Sequence, residues 1–509
     1  MTKGNTHKPL NPHIPEELLN MLDSEYGYSL LIKGSAGTGK TTLALELLAQ
    51  AEGKNKTYLS TRVSPNHIFE QFKWIPDEVQ EHLAIHDATQ AGTTLHNPLE
   101  DNQIALKFTG MPELLRVILS IADQSKDQHH FVIIDSWDAI QLLFEHNYKS
   151  QNPQPGKLTE NLNFMYNAFM ALVRERDIKL VLVAENVSQM DYLVDSIVEL
   201  KRRFIPSNNK MVREIEMKKF RGIRITNPTY LFTLENGRFK CFQPWDSKIL
   251  QKVMSNPTFL KLEDPVLRDL FSSIITKDIK HKIISTIIDP SHQETLSLLI
   301  ENLARRQVSA DEIFTLFPPD NFDIPAFRKK VLAWMKENNI DELRYWNNVN
   351  ICSFNAEEKI LKNEKNVINI PVPESGVFNE EEFTELLKTL KNELATMGTN
   401  QGGKRSINFG FMLPISSRLG QDVRKYPNLF LRLHNAMKDV ENTLFFFSTY
   451  SNDEGLDIMY KISNMVLEIN ILRGVPVLNC RMPEVPNLYG IFLEDEDDKV
   501  FGLNLCPIV

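Results

Sequence analysis

The chain has 509 residues, of which 42% are hydrophobic and 24% charged, so it is long enough for two or three domains. It contains no apolar run as long as a membrane span, and its polar start lacks the apolar core of a signal peptide. We therefore expect a cytoplasmic protein with no membrane contact. The net charge of −9 argues against attraction of the whole surface to nucleic acid. Widely spaced cysteines argue for a reducing compartment and against a structural zinc: Cys241, Cys352, Cys480 and Cys506.

The first predicted elements surround a glycine-rich loop. A short helix is expected from Pro15, because proline suits the first turn of a helix. A buried strand is predicted from Tyr28 to Lys33, and a second helix is predicted to begin near Lys40. The loop between them, GSAGTGKT, fits the pattern G-x-x-x-x-G-K-[ST]. A strand before this pattern and a helix after it are what a phosphate-binding P-loop requires.

Each residue type in this loop has a role in holding phosphates. The glycines permit backbone angles and a close approach that a Cβ would block, so that amide N–H groups can surround a phosphate. The following helix adds N–H groups and the positive end of its dipole. Lys40 is expected to reach the β- and γ-phosphates, and the Thr41 hydroxyl to bind Mg²⁺. We predict that ATP binds with Mg²⁺ to these residues: Gly34, Ser35, Ala36, Gly37, Thr38, Gly39, Lys40, Thr41 and Thr42.

Strands alternate with helices after the loop. Strands are predicted from Lys56 to Thr61 and from Leu83 to Thr89. Ser64-Pro65 predicts a helix through Phe72, since serine accepts the free N–H groups of the first turn and proline has none to satisfy. A further helix is predicted to open at Met111-Pro112 and to run to about Ala122.

The continuous apolar run from Phe131 to Ile134 predicts a strand buried on both faces, as in a parallel sheet. It ends in Asp135. An acidic residue at the tip of such a strand, beside the P-loop, is expected to be the Walker B carboxylate that holds Mg²⁺ through water. The alternative is that Asp135 caps the segment that follows.

The remaining elements of this region lead from parallel to antiparallel strands. A helix is predicted from Thr159 to Arg176 and a buried strand from Lys179 to Ala184. Two further strands and a hairpin with an Asn-Gly turn of type I′ follow: Ser196 to Leu200, Arg213 to Phe220, and the hairpin around Asn236-Gly237. This order predicts a parallel sheet with an antiparallel extension.

These motifs resemble the RecA superfamily of P-loop ATPases, specifically its KaiC-like and RadA-like branch. The resemblance covers about half of the chain, from Pro15 to roughly Pro244, and rests on GSAGTGKTTLALELL, YLSTRVSP and EIEMKKFRG. The sequence of these segments is most similar to that of archaeal ATPases grouped with gas-vesicle regulatory protein D. The resemblance implies a RecA-like α/β domain that binds ATP and Mg²⁺.

In KaiC-like ATPases a K-x-R-G stretch reaches the γ-phosphate held by a neighbouring subunit. Lys219, Arg221 and Gly222 match that stretch here, so the resemblance implies a homo-oligomer in which these cations act in trans, as an arginine finger does. The alternative is that Lys218, Lys219 and Arg221 only keep an edge strand soluble.

The chain departs from the KaiC-like pattern after the second strand. A pair of glutamates usually stands there, where a carboxylate can orient the attacking water, whereas this chain has Arg62 and Val63. An arginine cannot accept the proton of the water. Asp138 and Glu185 are the carboxylates that we expect to replace the missing glutamates, with slow hydrolysis as the consequence.

A basic run extends from Lys201 to Arg224, with few acidic residues to oppose it. It could bind a phosphate backbone or an acidic protein surface, or it could be a solvated face. Only Phe204 and Phe220 interrupt it as aromatic residues, which disfavours a platform for stacking single-stranded nucleic acid. Contact with nucleic acid is possible but not favoured.

The C-terminal half is predicted in two parts. Residues 251–345 read as a helical module, either a small bundle or a winged-helix-like unit. Residues 346–509 repeat the order of strands, short helix and closing hairpin of the ATPase domain, which occupies residues 1–250. We therefore predict a degenerate second RecA-like α/β domain, with ordinary α/β patterning as the alternative. No second P-loop accompanies it, because Gly402-Gly403-Lys404-Arg405-Ser406 lacks the leading glycine and a preceding strand.

Three functions fit the sequence. The leading hypothesis is an ATP-binding regulator that works through nucleotide-dependent self-assembly or through a regulatory protein partner. A DNA recombination or repair ATPase of the RadA type is the second, although the segment from Ser188 to Asp195 is short and has no glycine to form a DNA-binding loop. The third is a nucleotide-bound scaffold without catalysis.

Overall fold

The fold is taken from a computed structural model of the chain. Besides a few short pieces, it describes residues 13–51, 55–75, 83–87, 130–142, 158–185, 189–206, 209–245, 258–262, 282–288, 293–318, 322–354, 366–370, 406–411, 443–450, 463–496 and 500–509. The chain divides into two compact units, Met1–Gln243 with Ile508–Val509 and Pro244–Pro507.

The described part of the first unit is organised around one sheet of nine strands in the order β3-β2-β4-β5-β1-β6-β7-β8-β9. The strands from β3 to β6 in this order pair in parallel, and those from β6 to β9 pair antiparallel. The predicted parallel sheet with an antiparallel extension is therefore confirmed. The strands are β1 Tyr28–Gly34, β2 Asn55–Ser60, β3 Leu83–Asp87, β4 His130–Asp135, β5 Lys179–Ala184, β6 Ser196–Ile205, β7 Lys210–Phe220, β8 Thr229–Thr233 and β9 Lys240–Cys241.

Helices cover both faces of this sheet: α1 Glu16–Asp23, α2 Lys40–Gln50, α3 Pro65–Gln71 and α4 Leu158–Glu175. Successive side chains of β1 point to opposite faces, so that Leu30 packs in one apolar cluster with α1 and α2 while Leu31 packs in the other with α4. Both leucines are fully buried, which contributes about 1.5–3 kcal/mol each. Burial on both faces is why β1, β4 and β5 read as continuous apolar runs in the sequence.

The Asn-Gly turn predicted between β8 and β9 is present. Asn236 has φ 56° and ψ 26°, Gly237 has φ 70°, and the Arg238 amide donates to the Glu235 carbonyl at 3.1 Å. These angles are those of a type I′ turn. The strand pairing does not extend to the turn residues, since the pair nearest to the turn is Thr233 with Lys240.

The described part of the second unit contains a sheet of eleven strands in the order β10-β20-β19-β18-β17-β11-β16-β15-β12-β13-β14. Its helices are α5 Gln293–Ser309, α6 Ile324–Glu337 and α7 Leu343–Asn348. The strands are β10 Thr258–Leu262, β11 Lys282–Ile288, β12 Ile313–Phe317, β13 Val349–Phe354, β14 Val367–Ile370, β15 Ser406–Phe411, β16 Thr443–Tyr450, β17 Met465–Leu472, β18 Val475–Met482, β19 Tyr489–Glu496 and β20 Val500–Pro507.

The second sheet repeats the strand order of the first. When β11 is matched to β1, the strands β12, β13, β15, β16 and β17 to β20 occupy the positions of β2 to β9, and β14 and β10 are additional edge strands. The change from parallel to antiparallel pairing also falls at the same place, after β17 as after β6. The second unit is therefore a mixed α/β unit with the strand order of the first, and its description as a degenerate RecA-like domain stays a prediction. The sequence DPSH between β11 and α5 contains no glycine, so it cannot form a P-loop of the kind after β1.

The middle region differs from the prediction of a separate helical module in residues 251–345. Its helices α5 and α6 are present, but β10, β11 and β12 from the same region lie in the sheet of the second unit. The second unit thus begins near Pro244 rather than at residue 346. The cause is local: Ile313–Phe317 is a five-residue apolar run beside a helix, and a run this short does not distinguish a strand from a buried helical segment.

Two sequence predictions lie outside the described residues: the helix from Met111 to Ala122 and the conformation of the GGKR segment before β15. Among the helices of the described ranges, none combines the length and the apolar character that a membrane crossing requires.

Candidate nucleotide-binding site

The loop between β1 and α2 has a backbone that only glycine fits at two positions. Gly34 has φ 152°, and a Cβ there would lie 2.6 Å from the Leu200 carbonyl oxygen of β6. Gly39 has φ 102°, and a Cβ there would lie 2.8 Å from the Leu234 side chain. A side chain at either position would strain the backbone, and one at Gly34 would also collide with the backbone of β6. The glycine spacing of the motif therefore reflects the backbone angles of the loop and its close packing against β6.

Lys40 lies at the first position of α2, with its ammonium group over the loop. Its Nζ donates to the Gly34 and Ser35 carbonyl oxygens at 2.6 and 2.9 Å. Burial lowers the pKa of this lysine, while the nearby carboxylates of Glu185, Asp135 and Asp138 act in the opposite direction. A cation placed among carbonyls and backbone amides is in the position that phosphate binding requires.

Thr41 and Asp135 meet below the loop. The Thr41 hydroxyl donates to the Asp135 Oδ2 at 2.7 Å, and the Tyr58 hydroxyl of β2 donates to the same oxygen at 2.8 Å. Burial raises the pKa of Asp135, and these two hydrogen bonds counteract it. Tyr58 was missed by the sequence analysis, because it lies in the middle of an ordinary strand and only the pairing of β2 with β4 brings it to Asp135.

These groups fit the chemistry of magnesium. A hydroxyl and a carboxylate supply hard oxygen ligands, and Mg²⁺ usually keeps several waters and phosphate oxygens as its other ligands. Among the described residues, no cluster of three or more histidine, cysteine or acidic side chains could hold a metal by itself. A metal at Thr41 and Asp135 would therefore depend on a bound phosphate.

The loop after β2 is tied to the end of β4. The Thr61 amide donates to the Asp135 carbonyl at 2.8 Å, and the Ser136 amide donates to the Thr61 hydroxyl at 2.7 Å. The peptide bond between Asp135 and Ser136 is cis. These contacts place the residue that follows Thr61 at the mouth of the pocket.

That residue is Arg62, and it joins the two carboxylates predicted to replace the missing glutamates. Its Nη1 lies 3.0 Å from the Glu185 Oε1, and the Glu185 amide donates to the Asp138 Oδ2 at 2.9 Å. The hydrogen bond from Arg62 lowers the pKa of Glu185. The structure thus brings Asp138 and Glu185 into the same pocket as Lys40, with Arg62 as an additional member.

The pocket enclosed by these residues has a volume of about 350 Å³. Its lining contains charged side chains, namely Lys40, Arg62 and the carboxylates already described, and apolar ones, namely Val63, Ile68, Phe72 and Leu234. Such a mixed lining suits a molecule that has a charged part and a flat, weakly polar part.

Two arginines from the β6–β7 pair contact the outer side of the P-loop. Arg202 donates to the Gly37 carbonyl, and the Arg213 Nη1 lies 3.2 Å from the Gly37 oxygen and 3.4 Å from that of Thr38. Arg202 and Arg213 are register partners in the sheet. In the sequence they belong to the general basic run, and nothing in the local pattern separates them from its other members.

Lys219 and Arg221 lie elsewhere in this unit, at the end of the sheet where β1 begins. The Lys219 Nζ donates to the Asp191 and Val194 carbonyls, both at 2.7 Å, and the Arg221 Nη1 lies 3.4 Å from Asp195 Oδ1. Neither side chain lines the pocket at the P-loop. A role at the γ-phosphate can therefore only be exerted on another subunit, and it stays a prediction.

Much of the remaining basic run is neutralised within the sheet. Lys201 lies 2.9 Å from Glu216 and 3.2 Å from Glu199, and Lys218 pairs with the same two glutamates. Arg203 lies 3.4 Å from the buried Glu214. These cations stabilise the strand pairs, which reduces the positive charge left for a phosphate backbone.

Comparison with known proteins agrees with this site. Residues 18–217 match the family described as GvpD gas vesicle protein, P-loop domain. The chain is 28% identical over 266 residues to Protein GvpD2 of Halobacterium salinarum, an alignment that covers 50% of each chain. It is 27% identical over 251 residues to Protein GvpD1 of the same organism, covering 48% of this chain and 44% of the relative. The chain thus spans about half the length of the curated relatives that it matches.

The resemblance to gas-vesicle protein D is confirmed by these matches, and residues 18–217 match a P-loop domain, a class of domain that binds nucleotides. The matched segment contains the loop with Lys40, the Asp135 carboxylate, and both Arg62 and Glu185. It ends two residues before Lys219.

Proposed function

We propose that this protein is an ATP-binding regulator whose first domain binds ATP with Mg²⁺, hydrolyses it slowly, and controls self-assembly or the binding of a protein partner. The observation that carries the proposal is the hydrogen bond of 2.7 Å between Thr41 and Asp135 beneath the Lys40 loop. A hydroxyl from the P-loop helix and a carboxylate at a strand tip are the groups that hold Mg²⁺ against β- and γ-phosphates in P-loop proteins.

The lining of the pocket supports a nucleotide whose phosphates face the P-loop. The phosphates would lie against the amides of the loop and Lys40, and the base would lie against the apolar side chains of Ile68, Phe72 and Leu234. Mg²⁺ would neutralise charge that develops on the phosphates during transfer. The residues that would hold it are Thr41 and Asp135.

Slow hydrolysis follows from the state of the two carboxylates near the pocket mouth. Glu185 is engaged by Arg62, and Asp138 accepts a hydrogen bond from the Glu185 amide. A carboxylate held by a guanidinium is a weaker base, because its pKa is lowered. Glu185 is therefore a poorer acceptor for the proton of water while its ion pair with Arg62 persists.

The regulatory role is supported by the relatives, whose family is described as a gas vesicle protein. The proposal for this chain is that ATP and ADP favour different assemblies, with a regulatory protein as the partner. Lys219 and Arg221 lie away from their own pocket, which is compatible with a site completed by a neighbouring subunit.

Size measurement under three nucleotide conditions tests this proposal. The protein should change its mass in light scattering between a non-hydrolysable ATP analogue with Mg²⁺, ADP with Mg²⁺, and no nucleotide. Lys40→Ala should abolish the change. A single mass under all conditions, both alone and with a candidate partner, would contradict control by the nucleotide.

A further inference from the structure

We propose that Arg62 recognises the terminal phosphate of the bound triphosphate, and that it does so by leaving the Glu185 carboxylate. The inference rests on the proposed function, because it requires a nucleotide in the P-loop. It assigns to Arg62 the discrimination between triphosphate and diphosphate, and it makes Glu185 available only when a triphosphate is present.

The backbone position of Arg62 is fixed at the pocket. The neighbouring Thr61 is held on the end of β4 by hydrogen bonds of 2.8 and 2.7 Å to Asp135 and Ser136. Arg62 lines the same cavity as Lys40 and Thr41. A long side chain on a fixed base can change its partner within the pocket without any movement of the sheet.

The charges that line the pocket favour a guanidinium beside the terminal phosphate. Its lining contains two cations, Lys40 and Arg62, against three carboxylates, Asp135, Asp138 and Glu185. A γ-phosphate at the mouth of the pocket adds negative charge close to Glu185 and Asp138. The repulsion is reduced when a guanidinium pairs with the phosphate and neutralises part of its charge.

The pair of Arg62 and Glu185 is suited to exchange. The two side chains are 48% and 42% exposed, and ion pairs at such positions contribute little net stability. A phosphate offers more negative charge than a carboxylate and accepts two parallel hydrogen bonds from one guanidinium. The interaction of Arg62 with a terminal phosphate is therefore more favourable than its ion pair with Glu185. A diphosphate presents no group at that position.

The exchange has a consequence for catalysis. In the absence of triphosphate, the hydrogen bond from Arg62 lowers the pKa of Glu185. Departure of Arg62 removes that effect, so that Glu185 becomes a better proton acceptor beside the site of water attack. Arg62 is then a positioning residue that permits the base to act only after the substrate has arrived.

Affinities for a non-hydrolysable ATP analogue and for ADP, each with Mg²⁺, test the inference by calorimetry. Arg62→Ala should lower the affinity for the ATP analogue by roughly tenfold and leave the affinity for ADP within about twofold of the wild type. Glu185→Gln removes the competing carboxylate and should strengthen the ATP analogue severalfold. In the Arg62→Ala background, Glu185→Gln should change the affinity by a different factor than in the wild type, because there it removes only the repulsion of the phosphate and frees no arginine.

Lys73→Ala is the matched control, since this exposed lysine follows α3 and does not line the pocket. Its affinities should equal those of the wild type. Equal weakening of both nucleotides by Arg62→Ala, or a Glu185→Gln effect of the same size with and without Arg62, would overturn the inference. Failure of the wild type to bind either nucleotide would instead refute the proposed function. If Lys40→Ala loses affinity for both nucleotides, the P-loop site exists, and a failure of the Arg62 test then concerns Arg62 alone.

Discussion

Thr41 and Asp135 are 94 positions apart in the chain, yet the threonine hydroxyl donates a hydrogen bond of 2.7 Å to the aspartate. The contact exists because β1 and β4 lie in the parallel part of the sheet, where the carboxyl ends of the strands meet at the same edge. A P-loop and a carboxylate from distant parts of the sequence thereby form one site.

Asp135→Asn should remove the magnesium dependence of nucleotide binding. Asparagine preserves the shape of the side chain beside Thr41 and Tyr58 but not its charge. We expect ATP affinity with Mg²⁺ to fall by roughly tenfold or more, and affinity in EDTA to stay constant or rise. Titrations with and without Mg²⁺ measure both. Tyr58→Phe, which removes only a hydrogen bond to Asp135, should have a smaller effect, and an unchanged response of Asp135→Asn to Mg²⁺ would contradict the metal site.

The trans role of Lys219 and Arg221 predicts complementation between variants. Arg221→Ala should retain nucleotide affinity but lose hydrolysis in the assembled protein, and Lys40→Ala should lose nucleotide binding. A mixture of the two should recover part of the activity, since an intact P-loop of one subunit meets an intact arginine of the other. Arg203→Ala, a cation of the same hairpin paired with Glu214, is the control. A mixture no more active than its components would exclude a shared site.

A buried ion pair behind the P-loop helix should be important for stability. Glu46 of α2 is fully buried, and Arg238 contacts both of its oxygens at 3.0 and 2.6 Å. The guanidinium also lies 4.2 Å from the centre of the Trp74 ring. Arg238→Leu leaves Glu46 without this partner in a buried position and should lower the free energy of unfolding by about 3 kcal/mol.

Chemical denaturation checks this value, with Arg176→Leu as a control at an exposed arginine. The double variant Glu46→Met with Arg238→Leu should recover most of the loss, because it removes the buried charge together with its partner. Equal stability of Arg238→Leu and the wild type would show that Glu46 is stabilised by other groups.

Acidification should destabilise the first unit through His13. Burial, with a smaller contribution from Lys240, lowers the pKa of this histidine from 6.5 to about 4. Below pH 6.5 the unfolded chain binds a proton on this histidine, whereas the folded protein binds it only below about pH 4. The free energy of unfolding therefore falls as the pH decreases through this window. The loss is on the order of 2–3 kcal/mol.

His13→Gln should flatten the dependence of the unfolding temperature on pH within that window. The control His67→Gln, at an exposed position, should retain the slope of the wild type. Identical slopes for wild type and His13→Gln would show that folding does not lower the pKa of His13.

Local patterns in the sequence identified most of the first unit. The P-loop between β1 and α2, the acidic tip of β4, and the Asn236-Gly237 turn are each encoded within a few residues, where spacing and residue type suffice. The second unit was recognised from its closing strands, but β11 and β12 were overlooked, because their short apolar runs lie next to helices.

The contacts of Arg62 could not be predicted from local patterns in the sequence. Arg62 and Glu185 are 123 positions apart, and only the neighbouring ends of β2, β4 and β5 bring them together. The position of Arg62 in the sequence indicated that a glutamate was missing, not that the arginine holds the substitute carboxylate. Arg202 and Arg213 were hidden for the same reason, since their P-loop contacts depend on the register of β6 and β7.

The most direct test is the affinity of the full chain for ATP with Mg²⁺, compared between wild type and Lys40→Ala by calorimetry. We predict measurable binding by the wild type and a loss of at least about tenfold in Lys40→Ala, because the ammonium group over the loop is the main cation for the phosphates. A folded wild type without affinity for ATP, or a Lys40→Ala variant that binds as tightly as the wild type, would contradict a phosphate site at this loop.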